Sequence, residues 1–224
     1  NQVKKNIKEA AAAAGRDFNQ IKLLAVSKNH NFKAVKILNE AGIKFFGENR
    51  VQELEEKDKK LKSENIEIDW HFIGHLQRNK VKYLMRMKNC KMIEAIDSLR
   101  LAKEVNKRAK KNGRIIPVLI EINIANDEDK FGVMPEKAES FLKKLLKMEN
   151  LAPKGLMTVL PYLDDADELR LYFKKMKSLF DKLSNDIVQL DELSMGMTND
   201  YQIAVEEGAT IVRVGTAIFG KREY

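Results

Sequence analysis

Cysteine is nearly absent from this chain. Cys90 is the only one in 224 residues, which excludes an intrachain disulfide and fits a reducing compartment. It reads as a packing residue at a strand or helix end, not as a nucleophile. Proline is scarce too, with four in all, and no Pro/Gly-rich tract, repeat or low-complexity stretch divides the sequence. Residues 1–224 therefore read as a single domain. No apolar run approaches membrane-spanning length and no basic–apolar–small leader precedes the first strand, so a soluble, cytoplasmic protein is expected. Neither a Ser/His/Asp array nor a close carboxylate pair is present for hydrolysis. Histidine numbers three. His71 and His75 stand i, i+4 on a strand and face the same side with no acidic or Cys partner nearby, so no metal site is expected.

What the chain has in excess is positive charge: 41 Lys and Arg against 33 Asp and Glu, for a net +8. The cations are mostly interleaved with acids, as in Glu53-Leu-Glu-Glu-Lys-Asp-Lys-Lys60. Only residues 103–114 are locally basic, on an amphipathic helical pattern. Solvated helix faces explain this arrangement, and no clustered basic face interleaved with aromatics is there for nucleic acid. A phosphate-bearing small molecule would still favour a basic protein.

Strand-like and helix-like segments alternate along the chain. Apolar runs at 21–27, 43–47, 69–74, 92–97, 118–123, 155–160, 192–195 and 210–215 suit parallel strands buried on both faces, the seventh being the shortest. The fifth is expected to start after Pro117, because proline donates no ladder hydrogen bond. Between them, Phe32, Val35, Leu38 and Ala41 recur at helical spacing, Ser98 is placed to cap a helix over 99–111, and residues 166–183 carry a long apolar stripe. Eight strands, each followed by a helix or turn, predict an α/β fold of the (β/α)8 TIM barrel type. An open doubly wound sheet is the alternative, but its G-x-G-x-x-G after the first strand is absent.

In such a barrel, functional residues gather at the carboxyl ends of the strands. The last thirty residues hold two strand-to-turn passages rich in Gly and hydroxyls, Ser194-Met-Gly-Met-Thr-Asn-Asp200 and Ile211-Val-Arg-Val-Gly-Thr-Ala-Ile-Phe-Gly220. Free backbone N–H groups there, joined by a threonine hydroxyl, make a site for a phosphate dianion. Far upstream, Ala25-Val-Ser-Lys28 puts a lysine at the end of the first strand. A phosphate cradle and a strand-end lysine together suggest a phosphorylated aldehyde held as a Schiff base. Arg213, between Val212 and Val214, either points into the barrel toward a ring nitrogen or pairs with a carboxylate such as Glu94 or Glu121. Asn49 either caps the following helix or lines the mouth.

Six segments resemble one family: Ala25-Val-Ser-Lys28, Phe46-Gly-Glu-Asn-Arg-Val-Gln-Glu53, His71-Phe-Ile-Gly-His-Leu-Gln-Arg-Asn-Lys80, Gly155-Leu-Met-Thr158, Ser194-Met-Gly-Met-Thr198 and Arg213-Val-Gly-Thr-Ala-Ile-Phe-Gly220. They look like the pyridoxal phosphate homeostasis proteins, whose fold resembles the N-terminal barrel of alanine racemase, and they cover nearly the whole chain in order. The resemblance implies that Lys28 forms a Schiff base with pyridoxal 5′-phosphate. It implies that Thr198, Gly215 and Thr216, helped by Ser194, hold the phosphate, that Arg213 sits at the pyridine nitrogen, and that Asn49 lines the ring pocket. Asn29-His30-Asn31 departs from the family's more usual Thr-Lys-Pro type of run. The function implied is a cofactor carrier for intracellular pyridoxal phosphate homeostasis, monomeric, with apo-enzymes as possible acceptors. The rival is a single-domain racemase using Tyr162, Tyr201 or a histidine as second base. Racemisation needs a base on each face of the substrate, and the C-terminal domain that supplies the second one in alanine racemase is not expected here.

Overall fold

The structure is a computed structural model that describes residues 2–220. Eight parallel strands close into a barrel in sequence order. They are β1 (Lys22–Val26), β2 (Phe45–Glu48), β3 (Asp69–Phe72), β4 (Cys90–Ile96), β5 (Ile116–Glu121), β6 (Leu151–Met157), β7 (Glu192–Ser194) and β8 (Ile211–Val214). The seam is closed by β1 on β8, with Leu24 beside Arg213 and Ala25 beside Val214. Around the barrel run α1 (Gln2–Ala13), α2 (Phe32–Glu40), α3 (Val51–Ser63), α4 (Val81–Arg86), α5 (Leu99–Lys111), α6 (Ala138–Leu145), α7 (Ala166–Asp186) and α8 (Tyr201–Glu206), and the one-turn α9 (Thr216–Phe219) follows β8. None of the described helices is long and apolar enough to cross a membrane.

Two apolar layers hold this arrangement. Side chains pointing into the barrel, Leu24, Met92, Leu119, Met157 and Ile211, form a central plug. Those pointing outward join the helices in the larger core, where Phe46, Trp70, Phe72 and Phe173 are all but fully buried. Each such side chain contributes roughly 1.5–3 kcal/mol relative to an exposed one. The strands are apolar on both faces because both faces are covered. The long helix α7 buries Leu169, Phe173, Met176, Phe180 and Leu183, as its 3.6-residue period requires, and starts on Asp165, whose carboxylate accepts the N–H of Asp167 at 2.8 Å. Ser98 caps α5 by accepting Leu101 N–H at 3.3 Å, and Gly113, just beyond its end, adopts φ 61°.

The structure shifts the strand bounds, by one or two residues in β1, β2, β3, β7 and β8 and more tellingly in the other three. The fifth strand begins at Ile116 and contains Pro117, which stands beside Ala152 of β6. Pairing with β4 starts only at Val118, so the missing proline N–H breaks no ladder bond on that side. The sixth strand runs from Leu151 to Met157 instead of starting at Gly155, and Thr158 follows it. Strand β4 starts two residues earlier than the sequence pattern suggests, at Cys90. Burial pushes that thiol up to about 12, and it packs without nucleophilic character. At Gly155 the strands come so close that a Cβ would stand 1.7 Å from the Glu192 carbonyl oxygen.

Candidate functional site

At the carboxyl end of the barrel a cavity of about 450 Å³ opens between the β1, β6, β7 and β8 turns. Lys28, Thr198, Arg213, Gly215 and Thr216 all line it. Residues brought together from positions 28 to 216 thus share one mouth, as expected where the βα loops converge.

The wall after β7 and β8 is built from backbone. Gly196 takes φ 89°, and a Cβ there would lie 2.5 Å from that of Ala204, so only glycine lets the turn pack on α8. Asp200 closes the same turn by accepting the Met197 N–H at 2.5 Å. The two turns touch where Gly215 N–H donates to the Thr198 hydroxyl at 3.4 Å. Beyond it, the Ile218 and Phe219 N–H groups bond to Gly215 O. The N–H groups of Thr216 and Ala217 take no backbone partner among the described residues. Free N–H groups at a helix start, beside a threonine hydroxyl, favour an anion.

Below this wall runs a buried polar file. Arg213, 4% exposed, donates to Ser194 Oγ and to the Thr158 carbonyl, both at 2.7 Å. Ser194 Oγ donates in turn to Glu94 Oε2 at 2.6 Å, and Glu94 Oε1 lies 2.6 Å from His71 Nδ1. Burial alone would raise the Glu94 pKa. The hydrogen bond and charge of His71, the charge of Arg213 and the Ser194 hydroxyl together outweigh it, so the carboxyl sits below its usual range. Arg213 is pulled down by burial and supported by Glu94, Asp200 and Glu121. The Glu94 carboxylate is therefore held ionised inside the barrel, beneath a guanidinium that faces the cavity.

Lys28 is half-buried in the turn two residues past β1, not within the strand. The turn needs two asparagines for different reasons. Asn29 takes φ 65°, a left-handed conformation that Asn tolerates better than most side chains. Asn31 caps α2, its Oδ1 accepting Ala34 N–H at 3.0 Å. These two roles give a local physical reason for the unusual Asn29-His30-Asn31.

The remaining candidates lie elsewhere. Ser194 does not line the cavity: its hydroxyl is fully buried beneath, tied to Glu94 and Arg213. Asn49 is half-buried after β2 and outside the cavity lining, with its backbone packed so tightly on Gly74 that a Cβ there would meet Asn49 O at 2.5 Å. Among the described residues Arg213 makes no direct ion pair; its link to Glu94 runs through Ser194. His71 and His75 do not share an environment, because β3 ends at Phe72. His71 enters the barrel, while His75 reaches Asp97 at 2.9 Å and stacks on Phe131 with centroids 3.8 Å apart. No group of three or more His, Cys, Asp or Glu could hold a metal among the described residues. Tyr201 is 4% exposed on the helical layer, its hydroxyl accepting from Asn6 at 2.9 Å.

Apart from Tyr162, already a candidate second base, sequence reasoning missed Leu160, Pro161, Leu163 and Leu169, which complete the cavity from the β6–α7 side. It also missed the His71–Glu94 pair, although a glutamate between Ile93 and Ala95 in a buried strand signals a partner.

The family model for the alanine racemase N-terminal domain matches residues 1–223. A protein of Aquifex aeolicus named pyridoxal phosphate homeostasis protein is 44% identical, over 100% of this chain and 97% of its own. One of the same name from Haemophilus influenzae is 38% identical, over 100% of this chain and 94% of its own. The solved structure of PipY from Synechococcus elongatus, with PLP bound, is 32% identical and superposes with a TM-score of 0.83, covering 96% of this chain and 100% of PipY. By domain model, by identity over its full length and by fold, the chain belongs to the pyridoxal phosphate homeostasis protein family, on the alanine racemase N-terminal barrel.

Proposed function

We propose that this protein binds pyridoxal 5′-phosphate, holds it as a Schiff base on Lys28, and serves intracellular homeostasis of the cofactor by carrying it without turning over a substrate. The observation that carries this reading is the shared cavity: a half-buried lysine on one wall, free backbone N–H groups and two threonines on another, and a buried guanidinium at the base. These residues fit the group. A dianionic phosphate suits the Thr198–Gly215–Thr216 turn, and an aldehyde beside it falls within the reach of Lys28. The PLP-bound relative PipY supports the choice of ligand.

In this reading Arg213 faces the pyridine nitrogen. A guanidinium there opposes protonation of the ring and so weakens it as an electron sink, which suits holding more than reacting. Ser194 acts from below by fixing Arg213, and Asn49 shapes the adjoining turn. Residues 1–224 act as one barrel domain and as a cytoplasmic monomer, releasing the cofactor to apo-enzymes.

The racemase alternative has one specific foothold. Of the expected second bases, Tyr162 alone lines the cavity. Its hydrogen bond to Asp164 raises its pKa, however, which disfavours the phenolate that would take a proton. The test is the visible spectrum of the protein with added pyridoxal phosphate, repeated on Lys28→Ala and after borohydride reduction with peptide mapping. A band lost in the variant and an adduct on Lys28 are expected. No band in the wild type would overturn the reading, and exchange of an amino-acid α-proton would convert the carrier into an enzyme.

A further inference from the structure

Behind the lysine turn lies a second buried charge cluster that the cavity does not include. Lys57 of α3 is 4% exposed, an unusual place for a lysine. Its ammonium donates to Ser27 O at 2.6 Å, Glu48 Oε1 at 2.5 Å and Glu53 Oε1 at 2.8 Å. That uses all three of its protons. Ser27 Oγ donates to the same Glu48 oxygen at 2.6 Å, and Glu53 Oε1 also accepts the Asn29 N–H at 2.5 Å.

The placement of these bonds is selective. Ser27 O belongs to the peptide group just before Lys28, and Asn29 N–H to the one just after it. One ammonium and one carboxylate, adjacent on α3 and bonded to each other, therefore grip both peptides that flank Lys28. Burying Lys57 and Glu48 is costly, and a brace between α3 and β2 alone would not require contacts on residues 27 and 29.

We propose that Lys57 and Glu53 are positioning residues for Lys28, with Glu48 holding Lys57 in place. By clamping the two flanking peptides, they fix the direction in which the Lys28 side chain leaves the backbone and so raise the fraction of time its amine faces the cavity. This role rests on the reading that Lys28 is the cofactor lysine.

The test uses full-length protein and pyridoxal phosphate as probe. In the reaction followed, Lys28 Nζ bonds to the aldehyde carbon and the aldehyde oxygen leaves as water. Borohydride then delivers hydride to that carbon, fixing the link as a secondary amine for mapping. Glu53→Ala is the principal variant, because its side chain is 21% exposed and its loss leaves the Lys57–Glu48 pair intact. Lys57→Met and Lys57→Arg accompany it. A cofactor-free readout is added: the pH profile of Lys28 acetylation by acetic anhydride, with exchange of the Asn29 amide hydrogen.

Expected for Glu53→Ala are an unchanged circular dichroism spectrum, faster exchange at Asn29, a shifted Lys28 labelling profile, and adduct formation slowed on the order of tenfold while still mapping to Lys28. Lys57→Met should lose more, with partial rescue by Lys57→Arg. Where Lys57→Met does not fold, Glu53→Ala decides alone. Wild-type rate, affinity and labelling profile in Glu53→Ala would overturn the positioning role while leaving the cofactor reading intact. A wild type without an adduct on Lys28 overturns the cofactor reading, and this role with it.

Discussion

Glu121→Gln should make the protein more tolerant of alkaline pH. Glu121 ends β5, its Oε2 is buried without a hydrogen-bond partner among the described residues, and its pKa is pushed up to about 7, first by burial and then by the charge of Asp97, with Arg213 opposing. The folded state thus keeps this proton between the usual glutamate value of 4.5 and about 7, where the unfolded chain has lost it. Stability falls with rising pH wherever the native state binds more protons. At about 1.4 kcal/mol per pH unit, the interval from 4.5 to about 7 amounts to a loss of about 3 kcal/mol, complete above the folded value. Glutamine is always neutral and escapes that loss. Its amide has a donor that finds no evident partner, a cost of about 1–3 kcal/mol that does not change with pH. Glu48 and Asp200 are also raised by burial, but they act in both proteins and cancel from the comparison. Urea unfolding of both proteins without ligand, from about pH 4 to about pH 8, measures the difference directly. The variant's relative stability should climb by about 3 kcal/mol across that range and then level off. Profiles that stay parallel within about 0.5 kcal/mol would refute a buried, proton-holding Glu121.

Three further outcomes follow from geometry. Gly155→Ala puts a Cβ 1.7 Å from the Glu192 carbonyl oxygen, so β6 and β7 must part. A loss above about 4 kcal/mol is expected, read as a Tm drop of about 10 °C or as insoluble protein. Asn31→Ala removes the acceptor for Ala34 N–H, and a loss of about 1 kcal/mol should appear as a Tm lower by about 2–4 °C with cofactor affinity little changed. Ser194→Ala removes the hydroxyl joining Arg213 to Glu94, leaving two buried polar groups short of a partner at about 1–3 kcal/mol. Calorimetric titration with pyridoxal phosphate should find weaker binding as well, and unchanged affinity would separate Ser194 from the Arg213 site.

Much of the barrel was legible in the sequence because its signals are local. Apolar runs bounded by turns, the Ser98 cap and the apolar stripe of α7 need no distant partner to be recognised. Lys28, Thr198, Arg213, Gly215 and Thr216 were legible as a set because barrel topology brings strand ends to one face whatever the intervening sequence. Contacts that depend on three-dimensional direction were not. Ser194 ends β7 next to the right turn but points inward, and Tyr201 stands outside the cavity lining, against Asn6. Pro117 misled because the register of β4 against β5, which gives it no partner on β4, is not encoded next to it.

One pattern was available and marks where the barrel stops being core. Side chains two apart on a strand face the same way. Met92, Leu119 and Ile211 belong to the inward apolar plug, and two residues on from each comes a charge: Glu94, Glu121 and Arg213. In three separate strands the inward face changes from apolar to ionisable within two residues. A charge placed there at random would cost several kcal/mol and be neutralised or excluded. Here the opposite signs come together, with Glu94 supporting Arg213 through Ser194 and Glu121 kept from full ionisation by the same burial. The plug excludes water from below, which strengthens every charge above it, so the guanidinium presented to the cavity acts at low dielectric. A barrel built only for stability would have kept these three inward positions apolar. The charges gathered around Arg213, which itself lines the cavity, are therefore an argument, independent of any relative, that this end of the barrel is made to hold a polar ligand.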